Sequence, residues 1–123
     1  MKKAVIISGN LAQDHEFIYP YYRLLEAGFE VDVCLLEGKP VKGILGTALP
    51  PNKDQLVMKI DQIKINDYEI LVLPGGVKAM EKVRQEEKII NFITKFNEQK
   101  KIIACICSGA QLLISAKVVK DRK

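Results

Sequence analysis

The residue best placed to do chemistry in this 123-residue chain is Cys107, in the run Ile102-Ile103-Ala104-Cys105-Ile106-Cys107-Ser108-Gly109. An apolar, β-branched run that stops at a cysteine, followed by Ser-Gly and then the helix-forming stretch Ala110 to Ala116, reads as strand, tight turn and helix. A nucleophile on such a turn stands out over the edge of a sheet, and the glycine two positions later lets the turn close. Helix N–H groups aimed at the sulfur would favour thiolate over thiol. The pattern suits a nucleophile or an oxidation sensor, and it also suits a structural cysteine packed in the interior. Cys34 and Cys105 lie inside strand-like runs and are expected to be of that structural kind.

Two further features belong with Cys107. Leu73-Pro74-Gly75-Gly76 follows another apolar run, and paired glycines let backbone N–H groups approach a ligand without a Cβ in the way, one means of building an oxyanion site. Many Pro-Gly-Gly sequences are only turns. Glu16 follows the first apolar run, at or just before a helix start, where a solvated carboxylate is equally at home. The single histidine, His15, adjoins it and is expected at the surface. Cys105 and Cys107 have one residue between them and no histidine at ligand spacing, so neither zinc nor another metal is expected.

The elements that must position these groups alternate. Ala4 to Ile7, Glu30 to Leu36, Ile70 to Leu73 and Ile102 to Ile106 read as strands, the first, third and fourth being continuous apolar runs of the kind covered on both faces. Phe17, Tyr21, Leu24 and Leu25 give a helix from Asp14 to Ala27 with Gly28 as its stop, and Pro20 predicts either a kink or a regular helix that starts nearer Tyr19. Residues Glu37 to Leu49 read as irregular, with a short strand over Val41 to Leu45. Leu56, Val57, Ile60 and Ile63 predict a short surface helix between Lys53 and Asn66. Met80 and Val83, then Ile89, Ile90, Ile93 and Phe96, predict helical faces with a break near Arg84-Gln85. This alternation implies an α/β, flavodoxin-like three-layer sandwich with a mainly parallel sheet, whose ligands bind beyond the carboxyl ends of the strands.

Composition excludes several classes of function. With 48% hydrophobic residues and 28% charged, the chain can bury a core and reads as a single domain over residues 1–123. The net charge of +4 comes from scattered lysines and arginines without tryptophan, so no nucleic-acid face is expected. No apolar run approaches the roughly 18 residues of a membrane span, and neither a leader nor an anchor is visible, so no membrane partner is expected. Three cysteines without a secreted spacing pattern point to a reducing cytoplasm. Ser8-Gly9-Asn10-Leu11-Ala12 lacks the spaced glycines of a dinucleotide loop, and no cofactor is expected.

Asp14 to Leu24, the Leu73 to Gly76 turn and Ala104 to Leu113, taken together, resemble the ThiJ/PfpI family over nearly the whole chain. The resemblance implies the class I glutamine amidotransferase-like fold and a repertoire of intracellular proteases, deglycases, glutathione-independent glyoxalases and chaperones. It also implies that Cys107 is the nucleophile, Glu16 its acidic partner, Gly75 and Gly76 the oxyanion-side turn, and Glu81 a carboxylate lent to a neighbouring subunit. An ionised carboxylate beside a thiolate would repel it, so Glu16 is expected to hold a proton and donate it in a hydrogen bond to sulfur. Ser108, the remaining candidate site residue, stands where PfpI-like proteases carry histidine, and a hydroxyl is a poor general base near neutral pH. Family members continue past the position of Lys123, so the domain is expected to be C-terminally truncated. The strand Ile102 to Ile106, or its neighbour, would then expose apolar surface that favours a homo-oligomer.

The function expected from these residues is a cysteine-dependent hydrolase or lyase acting on a small carbonyl compound or a peptide. The alternative is a non-enzymatic redox-sensing or chaperone-like protein.

Overall fold

The computed structural model describes residues 2–106. Cys107, Ser108 and the helix expected over Ala110 to Ala116 lie outside the described residues. The elements run β1 (Lys3–Ser8), α1 (Asp14–Glu26), β2 (Glu30–Leu35), β3 (Val41–Lys42), β4 (Ala48–Leu49), β5 (Val57–Met58), β6 (Ile70–Leu73), α2 (Val77–Val83), α3 (Glu87–Glu98) and β7 (Ile102–Cys105). Five strands form one parallel sheet in the order β5-β2-β1-β6-β7. The short pair β3 and β4 makes a separate antiparallel hairpin.

The apolar runs become the central strands because both their faces are covered. From Ala4 to Ser8 every residue of β1 is fully buried. Phe17 and Tyr21 of α1 join the core, as do Ala79, Met80 and Val83 of α2 and Ile89, Phe92, Ile93 and Phe96 of α3. The expected flavodoxin-like α/β fold is therefore present, and the predicted break between the two later helices falls over residues 84–86. On β7 the pattern differs. Ile102 is 61% exposed and Ala104 is also exposed, whereas Ile103 and Cys105 are partly buried.

Three segments depart from expectation. Pro20 neither kinks α1 out of existence nor delays its start, since the helix runs unbroken from Asp14. Proline removes one hydrogen bond, the one from its own nitrogen to the carbonyl of Glu16, and burial of Phe17 and Tyr21 on either side of it outweighs that loss. Gly28 does stop the helix. At φ +91° it closes a Schellman cap in which its N–H and that of Phe29 donate to Leu25 and Leu24.

No regular helix forms between Lys53 and Asn66. Val57 and Met58 instead add a parallel edge strand to Val33 and Cys34 of β2, and two 3-10 turns, Ile60–Gln62 and Ile65–Asp67, follow. The apolar positions there satisfy an edge strand as well as a helix, and pairing with β2 decides between them. The strand expected over Val41 to Leu45 is shorter, because residues 43–47 turn the hairpin.

At the amino edge of the sheet, Tyr68 donates a buried hydrogen bond to Asp32 Oδ2 at 2.7 Å, and Lys3 Nζ lies 3.2 Å from the same oxygen. The bond to Asp32 raises the lysine above its ordinary 10.5. Burial, then Asp32, raises the tyrosine above its ordinary 10.0. Both groups resist losing a proton in the folded chain, so their contribution is complete below these ordinary values and is lost as pH climbs through the folded ones. Urea midpoints measured across this alkaline range should fall with rising pH, and the fall should be shallower in Tyr68→Phe. At neutral pH that variant should lose about 1–3 kcal/mol, since it leaves a buried carboxylate short of a donor.

Candidate functional site

The carboxyl edge of the sheet brings two of the sequence-predicted features together, Glu16 and the Gly75-Gly76 turn. β1 ends at Ser8 and the chain loops through residues 9–13 into α1, where Gln13 caps the helix by accepting the His15 N–H on its side chain at 2.8 Å. Glu16 therefore sits in the first turn of α1, within a segment the sequence placed at or near a helix start. β6 ends at Leu73, and Pro74-Gly75-Gly76 turns into α2.

These two segments are fastened through a single residue. Gly75 N–H donates to Glu16 Oε1 at 2.9 Å, and Gly75 C=O accepts from Gln13 N–H at 2.9 Å. The Gly75 N–H, expected on the oxyanion side, is thus engaged with the carboxylate. Gly76 lies against the same loop at φ +125°. A Cβ there would come within 2.8 Å of Ala12 Cα and Gln13 N, so only glycine lets the turn approach this closely.

Ile106 N–H donates to Leu73 C=O at 3.1 Å, which carries the β6–β7 pairing one residue beyond the strand. Ile106 then lines an open groove of about 620 Å³ with Glu16, His15, Tyr19, Tyr22 and Arg23. Its walls are largely aromatic and aliphatic, and the polar groups of α1 sit along one side. His15 is exposed, as expected, and it borders this groove. Cys107, the next residue in sequence after Ile106, and Ser108 lie outside the described residues.

Other expected residues sit elsewhere. Glu81, on α2, is exposed and pairs at 3.3 Å with Arg84, the residue just past the end of that helix. Cys34 is fully buried in β2, where burial pushes its thiol up to about 12. Cys105 is half-buried in β7. Among the described residues, no group of three or more His, Cys, Asp or Glu side chains could hold a metal ion, and no helix is long and apolar enough to cross a membrane.

Sequence reasoning missed Asp14. This carboxylate is 1% exposed and accepts from Leu45 N–H at 2.8 Å, from Thr47 N–H at 3.1 Å and from the Thr47 hydroxyl. Burial alone would raise it, but the Thr47 hydroxyl and the Leu45 and Thr47 amides hold it below its usual range. Its signal was an acidic residue at a helix start with a Gly-Ile-Leu-Gly-Thr turn about thirty positions later, which has meaning only once the hairpin is known to fold back.

The family model described as DJ-1/PfpI matches residues 2–123. Deglycase PfpI of Pyrococcus furiosus is 38% identical over 121 residues, which span 98% of this chain and 69% of that protein. General stress protein 18 of Bacillus subtilis is 34% identical over 123 residues, spanning 99% of this chain and 69% of that one. Among solved structures, a two-domain protein from Anabaena variabilis with dj-1/thij/pfpi-like and ferritin-like domains superposes with a TM-score of 0.84 at 30% identity, over 96% of this chain and 33% of that one.

The burial of Cys34 predicts its labelling. Iodoacetamide near neutral pH should leave Cys34 unmodified in the native protein and alkylate it once urea unfolds the chain, as read by peptide mass spectrometry. Rapid native labelling at Cys34 would show that β2 does not pack as described.

Proposed function

The chain belongs to the DJ-1/PfpI family, and we propose that it is a cysteine-dependent deglycase-type hydrolase acting on small dicarbonyls or the adducts they form. The observation that carries this reading is the bond from Gly75 N–H to Glu16 Oε1. It fixes an acidic side chain at the carboxyl edge of the sheet, in the groove that Ile106 also lines. The similarity to PfpI, which is named a deglycase, supports the choice of substrate class.

In this mechanism Cys107 Sγ, as thiolate, adds to the carbonyl carbon, and the carbonyl oxygen takes up the negative charge. The Gly76 side of the turn and the amide that follows Cys107 are assigned to that oxygen. Glu16 Oε1 is an acceptor for Gly75, so a proton on this carboxyl belongs to Oε2, from which it is donated to the sulfur. Ser108 carries a hydroxyl where PfpI-like proteases have histidine, and a hydroxyl is a poor general base near neutral pH, so no proton-abstracting role is assigned to Ser108. Glu81 is assigned to contact between copies in a cytoplasmic homo-oligomer, and the exposed face of β7 gives association an apolar surface.

Ser108 also favours one second reading, a redox sensor whose thiolate oxidises instead of turning over substrate. One experiment addresses both. Purified protein, Cys107→Ala and Glu16→Gln should be incubated with methylglyoxal and with a methylglyoxal-modified peptide. The wild type should consume the first and restore the second, Cys107→Ala should do neither, and Glu16→Gln should be slower by about a hundredfold. Wild type and Cys107→Ala removing substrate equally would end the enzymatic reading, and a stable sulfenic or sulfinic mass gain at Cys107 without turnover would favour the sensor.

A further inference from the structure

Asp14 and Glu16 are two residues apart at the start of α1, which turns them about 200° from one another around the helix axis. Glu16 reaches the Gly75 turn, while Asp14 reaches the opposite way into the hairpin of β3 and β4. A carboxylate that is 1% exposed is destabilising unless its oxygens are paired. Here the Leu45 and Thr47 amides and the Thr47 hydroxyl all donate to it. The hairpin turn is shaped for that carboxylate. Gly43 has an ordinary backbone conformation, yet a Cβ on it would run into Asp14, whose Cγ and two carboxylate oxygens are its three nearest atoms.

Backbone bonds continue the grip. Leu11 N–H donates to Lys42 C=O at 2.8 Å, and Ile44 N–H donates to Ala12 C=O at 3.0 Å. The first turn of α1 is therefore held from two sides, by the hairpin through residues 11–14 and by Gly75 through Gln13 and Glu16.

That turn needs outside support. The first N–H groups of any helix lack partners within it. In α1 the bond that would tie the Glu16 carbonyl to residue 20 is missing as well, because residue 20 is proline. Glu16 thus sits where the helix itself holds it least.

We propose that Asp14 is a positioning residue for Glu16: by anchoring the first turn of α1 in the Gly43–Thr47 hairpin turn, it sets the Glu16 carboxyl against Gly75. The catalytic consequence rests on the function proposed above, but the positioning itself does not.

The test is the amide proton shift of Gly75, measured by NMR in the wild type, Glu16→Ala, Asp14→Asn and Gly43→Ala. Gly43→Ala leaves the carboxylate itself in place and presses on it directly, since the three atoms nearest the new methyl all belong to the Asp14 carboxylate. Both Asp14→Asn and Gly43→Ala should move the Gly75 resonance most of the way to its Glu16→Ala position. Both should slow carbonyl turnover by about tenfold or more, the scale expected of a small misplacement. Should either fail to fold, Thr47→Val, which removes only the hydroxyl donor, should give a partial shift in the same direction. A Gly75 resonance that stays at its wild-type position while only the melting temperature falls would overturn the proposal. If Gly75 moves in every variant while turnover is unchanged even in Glu16→Ala, the positioning stands and the catalytic reading fails.

Discussion

One residue, Gly75, carries the connection on which the candidate site depends. Its N–H holds the Glu16 carboxyl and its C=O holds the Gln13 N–H, so the end of β6 and the start of α1 cannot move independently. Such a clasp requires the two backbones to come within van der Waals contact, and a side chain on the next residue would prevent that. Gly76, with its positive φ and with Ala12 and Gln13 where its Cβ would be, is how the chain meets the requirement. The paired glycines are therefore explained first by the approach of two chain segments, and any role toward a substrate oxygen builds on that approach.

How much of this was legible in the sequence depended on whether a residue's partner lay nearby in the chain. Ala4 to Ile7 and Ile70 to Leu73 announce themselves because a strand covered on both faces must be apolar throughout, and Ile102 to Cys105 carries the same apolar signature although it forms an edge strand with Ile102 and Ala104 exposed. Gly28 announces the end of α1 because a Schellman cap needs a residue at positive φ. Glu16 and the Pro-Gly-Gly turn could both be assigned to the carboxyl edge, since each follows a strand, but the bond between them spans 59 positions and has no local signature.

The misreadings share the same cause. Leu56, Val57, Ile60 and Ile63 have helical spacing, and only the free edge of β2 makes Val57 and Met58 a strand. Asp14 drew no reading of its own because the turn that encloses it lies about thirty residues on. Pro20 looked like a breaker because its lost hydrogen bond is local, whereas the burial of Phe17 and Tyr21 that offsets it is tertiary. The two edges of the sheet are also organised differently. At the amino edge, Lys3, Asp32 and Tyr68 neutralise and satisfy one another in a closed group. At the carboxyl edge, Glu16 lines an open groove and receives a backbone donor from Gly75.

The clasp can be measured directly by native-state hydrogen exchange at the Gly75 and Gln13 amides. Both should be protected to a degree comparable with the strand amides of β1 and β6, and Glu16→Ala should release Gly75 while leaving those strands protected. Exchange at Gly75 as fast as in an exposed loop of the wild-type protein would contradict the account, because the first turn of α1 and the end of β6 would then not be joined.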